Sequence, residues 1–205
     1  MKKLIITLFS LIFSVVALFG QTSNQTYFMK ALGKKIGELH YTRQVSGEDV
    51  YFSNVGFLEV NLLVKKVRMD IENRIHYHAG QFISANNKAI VNGEVHNSSR
   101  IEWNGKSYTM QIDGGEKKTI SSPIFYSGSR LYFEEPRGIE KAFSEASGIY
   151  MSVKPLGAGA YEVTDPQTER SMVYYYENGV QTKVSMKHPL LTVYLVRADA
   201  GGAAN

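Results

Sequence analysis

Cysteine is absent from the whole 205-residue chain. An exported protein with this composition can use no disulfide, and attachment through an N-terminal cysteine is excluded. Stability then rests on an ordinary apolar core. Also missing is a basic stripe interleaved with aromatics, the mark of a nucleic-acid groove. The clusters Lys34-Lys35, Lys65-Lys66 and Lys117-Lys118 are short and suit strand edges and turns, where lysine discourages edge-to-edge pairing. No linker divides the chain, and no fixed long period marks a solenoid or propeller. Catalytic signatures are lacking as well. Ser127-Gly128-Ser129 is not a nucleophile elbow, and Gly157-Ala158-Gly159 lacks the lysine and following helix of a phosphate loop.

One long apolar run is present, near residue 1. Lys2 and Lys3 precede Leu4 to Phe19, and polar sequence begins at Gln21 after the small Gly20. This layout predicts a secretory signal peptide over residues 1–20, because the run is short for a membrane span of about 20 residues. The expectation is an exported protein, periplasmic or secreted, with no integral membrane segment after cleavage. Cleavage removes two lysines from the 23 Lys and Arg, set against 19 Asp and Glu, so the formal charge falls by two from +4. Residues 21–198 are expected to form a single antiparallel β domain. Residues 199–205, small and polar, are expected to form a frayed tail.

Period-two alternation broken by turn residues dominates the rest. In SMVYYYENGVQTKVSM, Tyr174 and Tyr176 share one face, and Asn178-Gly179 suits the positive φ angles of a tight hairpin. Asn92-Gly93, Asn104-Gly105 and Asp113-Gly114 repeat the device. In LEVNLLVKKVRMD the apolar phase runs Leu58, Val60, Leu62, Val64 and then slips to Val67 and Met69, which predicts a bulge or bend at Lys65-Lys66. LLTVYLVR is apolar on both faces and predicts a central strand. The best helical stretch is PRGIEKAFSEASG, with Ile139 and Phe143 at helical spacing and Gly148 able to cap. The expected fold is all-β with one or two short helices: a curved antiparallel sheet or incomplete β-barrel of about ten strands.

Residues 75–80 read IHYHAG. In a strand His76 and His78 share a face with Arg74, and Glu94 and His96 in GEVH share another, so four donors would meet if the two strands were neighbours. Against a metal stand the positive Arg74 and the absence of a following carboxylate ligand. The segment matches VYYYENGVQTKVS in layout, with tyrosines in the comparable places. Strand, turn and strand is therefore the preferred reading of IHYHAG, and no cofactor is expected. Glu134-Glu135, Glu140, Glu145 and Glu162 could supply a carboxylate pair for acid–base catalysis, but spacing in sequence cannot fix the separation such chemistry needs.

What remains is an aromatic supply of 13 Tyr, 10 Phe and one Trp. Most suit cross-strand pairs, and tyrosine, apolar in body and polar at its tip, also suits a cavity wall.

The stretches FYSGSRLYFEEPRGIEKAFSEASG, YYYENGVQTKV and LLTVYLVR, with ALGKKIGELHYTRQVSG before them, resemble a family of uncharacterised exported β-proteins of Gram-negative bacteria. In that family an LYFxEP-like element leads to an FSE segment and then to strands joined at an NG turn. The resemblance implies a fold but no activity, and no catalytic residue is carried over. The architecture more distantly resembles periplasmic lipoprotein carriers, whose incomplete barrel wraps an apolar cavity under a lid; Ser121 to Gly148 would be the lid equivalent.

Three readings follow. The first is a non-catalytic envelope module binding an apolar or amphipathic, lipid-like ligand, with Phe125, Tyr126, Leu131, Tyr132, Phe133, Ile139 and Phe143 near the mouth. A filled core without a ligand-sized cavity counts against it. The second is an assembly partner of another envelope protein without a small ligand. The third is an enzyme, metal-dependent through His76, His78, Glu94 and His96 or acid–base through Glu134 and Glu135.

Overall fold

The computed structural model describes residues 20–62, 65–188 and 191–199. The leader expected over 1–20 lies almost wholly outside them, as does the tail beyond residue 199. The described residues form one antiparallel sheet of 14 strands. These are β1 (Gln21–Ala31), β2 (Lys34–Ser46), β3 (Asp49–Leu62), β4 (Lys65–His78), β5 (Gln81–Val91), β6 (Glu94–Trp103), β7 (Tyr108–Ile112) and β8 (Lys118–Ile120). They continue as β9 (Lys141–Phe143), β10 (Tyr150–Gly157), β11 (Ala160–Thr164), β12 (Ser171–Glu177), β13 (Val180–His188) and β14 (Leu191–Arg197).

The sheet order is β8-β7-β6-β5-β4-β3-β2-β1-β14-β13-β12-β11-β10-β9. Every neighbouring pair except β1–β14 is consecutive in the chain. β1 is thus a central strand, with Tyr27 opposite Leu39 on one side and Arg197 on the other. β8 and β9 are the two edges.

Tight turns set most of these boundaries. Asn178-Gly179, Asn92-Gly93 and Asp113-Gly114 all take positive φ at both positions, as do Ala79-Gly80. That geometry matches the right-handed twist of the flanking strands.

The sheet curls around two adjoining apolar clusters. One gathers Tyr27, Leu39, Tyr41, Leu131, Val163, Tyr174 and Val184. The other gathers Phe52, Ile75, Tyr77, Phe82, Ile101, Tyr108, Ile124 and Phe143. Residues 121–140, which connect the two edge strands, run through the hollow of the curl. They include a single 3-10 turn, Gly128–Tyr132. Phe82 N–H donates to the Ile124 carbonyl at 2.9 Å, and Phe143 N–H donates to the Tyr126 carbonyl at 3.0 Å. The insertion therefore ties β5 to β9 where no strand ladder joins them.

Gly37 and Gly56 bend the sheet. They are diagonal neighbours on the inner face, Gly37 facing Leu58 and Gly56 facing Leu39. A Cβ on Gly56 would collide with the Glu38 carbonyl and lie 2.7 Å from Leu39 Cα. Only glycine allows so close an approach of two backbones.

Three expectations are corrected. About ten strands were expected, and 14 are present. The phase slip at Lys65-Lys66 marks a pairing of two strands rather than a bulge or bend within one, since Leu62 pairs with Lys65 and Val60 with Val67. The β3–β4 register puts Leu58, Val60, Val67 and Met69 on one face, which in sequence looks like a shifted phase. The helix expected over residues 136–148 is a turn followed by β9. Gly138 takes φ +71°, which a right-handed helix cannot contain, and Ala142 and Phe143 find partners in Met151 and Tyr150 of β10.

Candidate functional site

The seven residues expected at a ligand mouth split into three groups. Leu131 and Phe143 are 0% exposed, whereas Phe125 is 61% exposed and points to solvent. Tyr126, Tyr132 and Phe133 are half-buried against the cores, and Ile139 is half-buried beyond Gly138. The interior is filled where the insertion lies. Leu131, Phe143, Tyr126, Tyr132 and Phe133 pack in or against the two apolar clusters, while Phe125 faces solvent.

The other end of the hollow is built differently. Across the inner face, register aligns Gln25, Tyr41, Asn54, Asn73, Asn87 and Ser99 in one transverse row. Tyr132 of the insertion stacks on Tyr41 at 3.9 Å between ring centroids and meets Tyr174 edge-on at 5.8 Å. Burial pushes the Tyr41, Tyr132 and Tyr174 phenols up from their ordinary value. Asn87 Nδ2 donates to Ser99 Oγ at 2.9 Å and to the Glu145 carbonyl at 3.0 Å. Asn54 Oδ1, in the middle of the row, is buried without a partner among the described residues. Together these groups make a polar floor.

Beyond that floor the inner wall is apolar and open. Ile36, Leu58, Ile71, Met172, Met186 and Val193 are only half-buried and rest against the core below them. Met69 and Val91 continue the Leu58 row, and both are half-buried. Strands β2 to β4 are the longest of the sheet, so their ends overhang the filled part. We term this half-buried apolar end of the inner face, adjoining the tyrosine–asparagine row, the cup.

Beneath the floor a buried polar chain fastens the insertion. Tyr77 Oη donates to Ser127 Oγ at 2.7 Å, and Ser127 Oγ donates to Glu145 Oε1 at 2.6 Å. Glu145 Oε1 also accepts the Ser129 N–H at 2.9 Å. Ser127 is thus occupied in holding a carboxylate.

The four possible metal donors do not converge. His76 and His78 end β4, whereas Glu94 and His96 begin β6 at the far end of β5, about 20–30 Å away by strand length. Asp49, which sequence reasoning missed, lies between the two imidazoles: His76 Nε2 is 2.7 Å and His78 Nδ1 3.0 Å from its Oδ1. The hydrogen bond from His76, then that from His78, holds the Asp49 carboxyl below the usual range. The β3–β4 ladder places Asp49 opposite His78, a cross-strand pairing the linear sequence conceals. Among the described residues no group of three or more His, Asp or Glu could hold a metal ion. Glu134 and Glu135 each bind their own arginine, Arg130 at 2.6 Å and Arg137 at 2.8 Å, and do not form a pair.

A groove of about 580 Å³ crosses the outer face of β2 to β6, among Gln44, Tyr51, Arg74, His76, Asn86 and Arg100. No helix among the described residues is long and apolar enough to cross a membrane.

An open, strongly curved antiparallel sheet with a packed hollow defines a β-barrel-like protein. A family profile described as a domain of unknown function, DUF6134, matches residues 28–198, and the chain belongs to that family. No curated protein matches. Among solved structures the chain is similar to a β-barrel-like protein of the domain of unknown function DUF1849 from Brucella abortus. The TM-score is 0.55 at 11% identity, over 85% of this chain and 94% of that one. At that identity the likeness is one of fold.

Proposed function

We propose that this is an exported, non-catalytic binding module of the cell envelope that holds an amphipathic, lipid-like ligand in the cup. The observation that carries the reading is the half-buried inner wall of Ile36, Leu58, Ile71, Met186 and Val193 above a floor of tyrosines and asparagines. Apolar side chains on a concave face gain when an apolar chain covers them, at roughly 25 cal/mol per Å². The row of tyrosine and asparagines at the base puts polar side chains at one end of that wall. Ligand sites commonly combine such an apolar wall with a few convergent polar groups. Export rests on the basic and apolar leader at residues 2–19.

Native mass spectrometry of the protein released gently from its own envelope tests this reading. The expected result is a reproducible added mass that organic extraction removes and that Leu58→Glu and Ile71→Glu lose. A clean mass in the unextracted wild type, with no uptake of a fatty acid or lysophospholipid, overturns it in favour of a protein partner.

A further inference from the structure

The outer face of the same sheet carries a second arrangement with its own chemistry. Register places Thr42, Ser53, Arg74, Asn86 and Arg100 in one row across β2 to β6, and Gln44, Tyr51, His76, Ser84 and Glu102 in the next. All ten line the groove of about 580 Å³. The first row holds hydrogen-bond donors throughout and no carboxylate. The small Ser84 and the short Asn86 of β5 form a floor between taller walls. On one side stands the His76 ring, stacked on Tyr51 at 4.5 Å with 9° between planes. On the other stand Arg100 and Glu102. β4 and β6 are two strand spacings apart, about 10 Å, which leaves space between the walls for one sugar-sized ring.

The two guanidinium groups are pinned but not saturated. Arg74 Nη2 donates to Glu72 Oε1 at 2.6 Å. Arg100 donates through Nε at 3.1 Å and Nη2 at 2.7 Å to a single oxygen of Glu102. Among the described residues, Arg74 Nε and Nη1 and Arg100 Nη1 make no hydrogen bond, so N–H groups remain on both sides of Asn86. Of the charged groups lining the groove, Arg74 and Arg100 outnumber Glu102. The groove also continues. A second recess of about 370 Å³ shares Ser84 and Glu102 and adds Trp103, Asn104, Thr109 and Lys117. Each recess therefore combines a side-chain amide and a cation.

We propose that this tandem groove binds an acidic oligosaccharide. One anionic group lies between Arg74, Asn86 and Arg100, and the ring that carries it lies over Ser84 against the His76 imidazole. The next acidic residue reaches Lys117 beside Asn104. Amides and hydroxyls suit neighbouring sugar hydroxyls, and charge-assisted bonds from arginine to an oxyanion are the strong ones. The groove lies on the opposite face from the cup, so this assignment stands independently of the lipid-like ligand.

Calorimetric titration of the full chain with tetragalacturonate, a sulfated tetrasaccharide and neutral maltotetraose tests it. Saturable binding of at least one acidic probe is expected, weakening with added salt and at least about tenfold tighter than the neutral one. Arg74→Gln with Arg100→Gln should lose that margin while retaining the wild-type circular dichroism spectrum. Ser84→Trp, which fills the slot, should abolish binding with both arginines intact. Absence of saturable binding by both acidic probes overturns the proposal. So does equal affinity for the neutral probe, or binding unchanged in both variants.

Discussion

At the scale of single residues, the fastening of the insertion depends on one hydroxyl. Ser127 Oγ accepts from Tyr77 and donates to Glu145, and all three side chains are buried. Ser127→Ala leaves a phenol and a carboxylate oxygen without that partner. A buried polar group so orphaned costs about 1–3 kcal/mol. Urea unfolding should record a loss of that size with an unchanged slope, and Ser127→Thr should recover part of it. A loss below about 0.5 kcal/mol, the usual size for a neutral surface change, would mean that water replaces the hydroxyl. Gln181 poses the opposite case. It is 0% exposed, and neither atom of its amide finds a partner among the described residues.

At the scale of elements, the bend at Gly37 and Gly56 gives β2 and β3 their curl. Gly56→Ala drives a methyl group into the Glu38 carbonyl and the Leu39 side chain. Overpacking of this kind costs typically about 1–3 kcal/mol. Thermal unfolding should fall accordingly, whereas Gly33→Ala, at an exposed turn with open space around it, should pay only for its positive φ. The same two glycines mark what sequence leaves illegible. The alternating strands and the Asn-Gly turns follow from local chemistry and are readable residue by residue. The approach of two backbones at Gly56 depends on a partner 17 positions away, Gly56 lying opposite Leu39. For the same reason Asp49 does not announce its place between His76 and His78. The apolar insertion was legible as an interruption, but not its position inside the curl. Ile139 and Phe143 fit a helical period, and only the ladder from Ala142 to Met151 decides against it. The candidate cup was least legible, because half-buried Leu58 and Ile71 look in sequence like any core residues.

At the scale of the molecule, the interior is rich in phenols. Burial pushes Tyr27, Tyr41, Tyr77, Tyr126, Tyr174 and Tyr176 above the ordinary value of 10.0. A folded-state value raised above the unfolded one means that the folded chain holds its protons longer. The associated stability is complete below about pH 10 and is lost as pH rises beyond it. Unfolding midpoints should therefore be flat on the near-neutral side and fall steeply above pH 10. Tyrosinate absorbance should rise in the same step as the circular dichroism collapses. A gradual rise with the fold intact would show that these phenols reach solvent without unfolding.

The sheet order has a further consequence. With β1 between β2 and β14, the 14 strands are a simple up-and-down meander cut open and re-entered at its centre. Thirteen pairings join the strands, and only β1–β14 joins two that are not consecutive. A nascent polypeptide emerging from β1 onward can complete β1 through β8 by successive hairpins, yet it carries β1 with one flank unpaired until β14 arrives. During that interval the chain has a bare strand at what will become its middle. A companion that shields β1 during synthesis would thus protect the one seam on which both halves of the molecule depend.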